Sequence, residues 1–202
     1  MAEPIYQRPA SSAHTRIVRA PDGRSADIIE LIIADHRRIR RLRQALDDAI
    51  RSDHSGPGWL LAHVWQRLAD VLVTHTQAEQ EICYLSMFAA GQREEWRDAV
   101  ADNDDIHEAV SEASLKRPGS AGWWRAVGAA LAAGARHIER AEGGALARWQ
   151  LRLTASQRFE LGRQWSAFVA AWTQDAGHQA AEKLAANGAP VPGPQWHSSA
   201  QT

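Results

Sequence analysis

One cysteine, Cys83, stands among 202 residues. No intrachain disulfide can form, and a reducing compartment, in its simplest form the cytoplasm, is the expectation. Neither sign of charge dominates, since 23 Lys and Arg against 24 Asp and Glu leave a formal net charge of −1. That balance removes the electrostatic reason to expect a nucleic-acid or anionic-membrane partner. Long apolar runs are also missing. The longest, near residues 28–34, contains Glu30; it is far too short to span a bilayer, and no signal-peptide pattern precedes it. No segment alternates in the manner of a half-buried strand, so the expected fold is all-α.

What the chain does have is helical periodicity. Hydrophobic residues make up 45% of it, enough for one domain with a full-sized core. Residues 1–24 mix Pro, Ser, Arg and Gly without period and read as a flexible arm, after which Ser25 is placed to cap a helix. Ile29, Ile32, His36, Ile39, Leu42 and Leu46 then form one helical face. Beyond the Ser-Gly-Pro-Gly break at 55–58, a second stripe runs through Leu61, Trp65, Leu68, Leu72, His75, Glu79 and Ile82 to a break at Gly91. A weaker third helix places Trp96, Val100, Asn103, His107 and Val110 inward, across the polar run 102–105. The fourth carries Trp124, Val127, Leu131, Gly134, His137 and Ala141, and Gly143-Gly144 loosens its end. Thr154-Ala-Ser-Gln157 reads as a capping box opening an accessory fifth helix over 154–185, with a disordered tail over 186–202. The four helices of residues 25–150 make two similar hairpins, which suggests two halves around an approximate two-fold axis, an arrangement that suits two neighbouring metal ions better than one.

Each of those four helices carries one inward histidine: His36, His75, His107 and His137. A lone inward histidine is usually a hydrogen-bonded core residue, but burying four without a common purpose would cost stability. Glu79 lies four residues after His75 and shares its helical face, and a carboxylate there needs a cationic partner. A divalent metal compensates both, and imidazole with carboxylate suits iron, manganese or zinc. Glu142 follows His137 by five residues, so the two face one ion only through a locally widened turn. The alternative for Glu142 is a solvated side chain at a helix end. The arginines at 37, 38, 40, 41 and 43 read as the wet face of the first helix, and the nine tryptophans mostly as packing. Cys83 and Tyr84, a turn after Glu79, are placed for supporting contacts.

The series His36, His75-x-x-x-Glu79, His107, His137-x-x-x-x-Glu142 resembles the hemerythrin-like, or HHE cation-binding, domain. The flanking segments Asp35-His36-Arg-Arg-Ile-Arg-Arg-Leu42 and Ala78-Glu-Gln-Glu-Ile82 resemble that family's first and second helices. The resemblance implies an up-down-up-down four-helix bundle holding two iron ions in a non-haem di-iron centre. His36 and His75 would bind one iron, His107 and His137 the other, with Glu79 and Glu142 bridging. It further implies a diatomic ligand or peroxide as partner, for sensing, scavenging or iron handling. One departure matters: the family's oxygen carriers place His-x-x-x-His on the third helix, whereas here Asn103 precedes His107 and Ser111 follows it. Asp104 or water is left to fill the vacancy, which favours reaction with peroxide, nitric oxide or oxygen over oxygen carriage alone. Two other readings stay open: a peroxide- or nitric-oxide-consuming redox enzyme, and a metal-free helical interaction module. Ferritin-type chemistry lacks the Glu-x-x-His pairs it needs.

Overall fold

A computed structural model describes residues 27–51 and 58–186, without the side chains of 51, 58, 59, 96 and 175–186. The expected arm, the Ser25 cap, residues 55–57 of the Ser-Gly-Pro-Gly break, the side chain of Trp96 and the tail beyond 186 lie outside what is described. Every regular element described is helical, and no strand occurs among the described residues. Helix α1 spans Ile28–Arg51 and α2 spans Gly58–Ala78, and a π-turn at Glu79–Cys83 leads directly into α3, Tyr84–Ala89. Helix α4 spans Arg93–Ser114 and α5 spans Ala121–Arg140, and a second π-turn at Ala141–Ala145 leads into α6, Leu146–Arg152. Helix α7, Ala155–Ala186, closes the series.

Local chemistry explains the helix starts. Asp27 accepts the Ile29 amide at 2.9 Å and opens α1. Ser120 accepts the Trp123 amide at 3.2 Å and opens α5. Thr154 and Gln157 bond reciprocally, amide to side chain in both directions at 2.8 and 3.2 Å, so the expected capping box opens α7.

Packing follows the two-hairpin pattern. Helix α1 lies on α2, α4 lies on α5, and α2 also meets α4. Helix α7 packs against α1 and α2, and its buried Trp165 brings its ring centroid within 5.5 Å of the His75 ring. The apolar interior divides into two clusters. One gathers Leu46, Leu68, Leu72, Ile106, Trp123 and Val127; the other gathers Ile28, Ile32, Tyr84, Met87, Trp149 and Trp165. His36 falls in sequence between Ile32 and Ile39, His75 between Leu72 and Ala78, and His137 between Ala133 and Ala141. The histidines therefore form a polar layer where the two cores meet. Trp123, 1% exposed, contacts Trp65 edge-on at 6.1 Å and anchors the first core. Trp123→Ala is expected to cost about 3–5 kcal/mol, which denaturant unfolding with an unchanged m-value would confirm.

Candidate metal centre

The ligand atoms of His36, His75, Glu79 and His137 all lie within 4.8 Å of one another. Three helices supply them. His36 comes from the middle of α1, His75 from the last turn of α2 with Glu79 at the head of the first π-turn, and His137 from the last turn of α5. Their relative exposures are 0, 1, 5 and 4% respectively, so water solvates none of them well. The imidazole rings stand edge to face, with centroids 4.9 to 5.9 Å apart.

Glu79 is the electrostatic hub. Its Oε2 lies 3.2 Å from Nε2 of His137 and its Oε1 lies 3.6 Å from Nε2 of His75. Burial pushes the Glu79 carboxyl up, but the charges of His137 and His75 outweigh it and hold the group well below the usual carboxylate range. Burial lowers His137, yet the Glu79 carboxylate prevails and raises it. His36 responds oppositely: burial, then the neighbouring His75, lowers it to about 4.

Hydrogen bonding leaves the cluster incomplete. Nε2 of His36, both ring nitrogens of His75 and Nε2 of His137 are buried without a hydrogen-bond partner. Nε2 of His137 has only its 3.2 Å charge contact with Glu79. Buried polar atoms left this way are costly and call for an explanation. Converging imidazole nitrogens with one carboxylate fit a divalent metal, which would take one nitrogen from each ring together with the Glu79 carboxylate.

Two of the six sequence-derived candidates stand elsewhere. His107 is half-buried and its Nε2 lies 2.7 Å from the Thr76 hydroxyl. Glu142 sits beside the cluster: Arg40 donates to both its oxygens at 3.0 and 2.7 Å, and its Oε1 lies 2.9 Å from Nδ1 of His36. The widened turn does occur, at Ala141–Ala145. It starts too late to bring Glu142 in line with His137, because the Ala141 amide still bonds back to the His137 and Ile138 carbonyls. Asp104 is exposed and stands outside the converging set.

Side chains outside the six candidate ligands complete the surroundings. Asn103, fully buried, donates its amide to the Tyr84 hydroxyl and to the Thr76 carbonyl. The Tyr84 hydroxyl in turn lies 3.5 Å from Oε2 of Glu79. Burial, reinforced by Glu79, pushes the Tyr84 phenol and the Cys83 thiol up, so both stay protonated. Asp35 approaches Nδ1 of His75 at 3.7 Å. A cavity of about 520 Å³ borders Glu79, Tyr84 and His137 between α4 and α5. Asp102 holds Arg140 at 2.9 Å on its wall. The signal for Tyr84 and Asp35 was sequence adjacency to predicted ligands; Asn103 had only its place on the inward face.

The family model for the hemerythrin HHE cation binding domain matches residues 27–149. No curated protein and no solved structure matches the chain. No described helix is long and apolar enough to cross a membrane. The matched span takes in both hairpins and every residue of the histidine layer, and the chain belongs to the hemerythrin HHE cation-binding domain family.

Proposed function

We propose that this protein binds non-haem iron through His36, His75, Glu79 and His137 and meets oxygen, nitric oxide or peroxide there. The observation that carries the reading is the set of buried imidazole nitrogens without partners around one carboxylate. Manganese and zinc share this donor chemistry. Iron, when bound, supplies reversible electron exchange with small oxidants. The chain supplies the rest. His36, His75 and His137 offer neutral nitrogen donors, and Glu79 supplies negative charge in a layer that excludes bulk water. Tyr84 and Asn103 hold that carboxylate in place.

The cavity beside Glu79 and His137 favours an additional catalytic reading, consumption of peroxide or nitric oxide, because it gives such reactants a route to the layer. Protein grown with added iron is expected to carry it by elemental analysis and to show a visible spectrum that changes on adding peroxide or nitric oxide. Sustained peroxide loss beyond one equivalent marks an enzyme; a colour change that stops at one equivalent marks a binder. Metal-free protein from iron-supplemented cells, with no uptake on reconstitution, would leave the helical interaction module instead.

A further inference from the structure

We infer that this centre takes one metal ion per chain, with Glu142 positioning His36 from behind and His107 bracing α2 through Thr76. The inference rests on the metal-binding reading above and differs from it in stoichiometry. The six-ligand pattern of the resemblance suits a pair of ions, whereas the side chains of this protein converge as a set of four.

Glu142 is the first reason. An imidazole carries its two nitrogens on different edges of the ring, and here Nδ1 of His36 faces Glu142 while Nε2 is the buried atom without a partner. The carboxylate therefore approaches His36 on the edge away from its free nitrogen. Arg40 grips both Glu142 oxygens there. A carboxylate at Nδ1 keeps the hydrogen on that nitrogen, so Nε2 presents its lone pair. This is the supporting arrangement commonly found behind a metal-binding histidine.

His107 is the second reason. The Thr76 hydroxyl lies 2.9 Å from the Leu72 carbonyl and 3.2 Å from the Val73 carbonyl. A carbonyl only accepts, so the single hydroxyl hydrogen points to the backbone, and the Thr76 oxygen accepts from His107 Nε2 at 2.7 Å. That nitrogen thus carries a hydrogen instead of a lone pair. Thr76 directly follows His75, which turns it about 100° away around α2.

Charge is the third. Two divalent ions a few ångströms apart repel strongly and need bridging anions. Glu79 is the one carboxylate among the four converging donors; Asp35 stands 3.7 Å from Nδ1 of His75, Glu142 is held by Arg40, and Asp102, also buried, is committed to Arg140 and Arg136. Asn103 offers only a neutral amide oxygen, its Oδ1 having no hydrogen-bond partner. One dication beside one carboxylate and three neutral imidazoles is far closer to balance.

The test is metal stoichiometry of the full chain by equilibrium dialysis against zinc, and anaerobically against ferrous iron, read by elemental mass spectrometry. One ion per chain is expected. Glu142→Ala should still bind one, about 10–100-fold more weakly; Glu142→Gln, which keeps an acceptor for the His36 Nδ1 hydrogen, should recover most of that loss. His107→Ala should also bind one, within a few-fold of the parent. Two ions in the parent, or a fall from two to one in any of these variants, would overturn the inference and leave metal binding intact. No ion at all would remove both. Circular dichroism of the apo variants confirms that each is folded before it is titrated.

Discussion

Alanine at position 79 is expected to empty the centre. Glu79 is the only carboxylate among the four converging donors, and the imidazoles of His36, His75 and His137 surround it. Without it, a dication in this layer would face three neutral nitrogens and no anion, an expensive arrangement where water is excluded. The loss should exceed the 10–100-fold typical of supporting residues, so metal should dialyse away at micromolar concentrations. His75→Ala should do the same, because both nitrogens of that ring are otherwise orphaned. Neither change needs to unfold the apo protein, since the two apolar clusters flank the layer and do not depend on it. Metal content per folded chain decides the matter. A Glu79→Ala protein that keeps its full complement would show that the cluster is not the binding site.

Acid is expected to act twice, on bound metal and on the metal-free fold. Ligation requires neutral imidazoles, so protons compete with metal as pH falls below about 6. In the apo protein His36 titrates near 4 in place of its ordinary 6.5, because it is buried and His75 lies beside it. Between those values the unfolded chain takes up a proton that the folded chain refuses. Stability is therefore present above 6.5 and drains away as pH falls toward 4, by about 3 kcal/mol for a shift of this size. Glu79, held low, adds stability above its ordinary value near 4.5, lost as pH falls further. His137 has the opposite sign: its folded value is raised, so its contribution is full below 6.5 and is lost as pH rises from there through the raised folded value. The apo thermal midpoint should thus fall between pH 6.5 and 4, and His36→Gln should flatten the decline. Metal retained one-to-one at pH 4, or an apo midpoint level across the window, would contradict this account.

The same residues show what periodicity conveys and what it misses. Ile32, His36, Ile39 and Leu46 lie on one buried face of α1, and Leu68, Leu72, His75 and Glu79 on one of α2 and the π-turn that continues it, because apolar spacing dictates which side of a helix turns inward. Three imidazoles and a carboxylate could be placed in one layer on that basis. Helix α4 was less legible. Its polar run blurs the stripe, and Asn103 is fully buried while His107, one turn on, stands half-exposed against Thr76. On α5 the buried tryptophan is Trp123, with Trp124 only partly covered. The partners of Glu142 were invisible for another reason: Arg40 reads as one of five solvent-facing arginines until the fold brings α1 beside the end of α5. The site-facing role of α7 was hidden too, since its polar and apolar residues are poorly segregated and only tertiary contact sets Trp165 over His75. The second π-turn was foreshadowed by Gly143-Gly144, and Gly144 does adopt φ of +140°. The first, at Glu79–Cys83, has no glycine or proline to announce it.

Those two wide turns begin at the same offset from their histidines, four residues beyond His75 and four beyond His137. Each is equivalent to one surplus residue threaded into an otherwise regular rod. Excising a single residue from either would let the rod revert to even winding and swivel everything downstream by about 100°. On the first rod that would carry Tyr84 and Met87 off their buried seats; on the second it would carry off Leu146 and Trp149. The bundle thus tolerates length changes poorly at these two points, and relatives lacking the surplus residue would have to build the walls around their cation from other side chains.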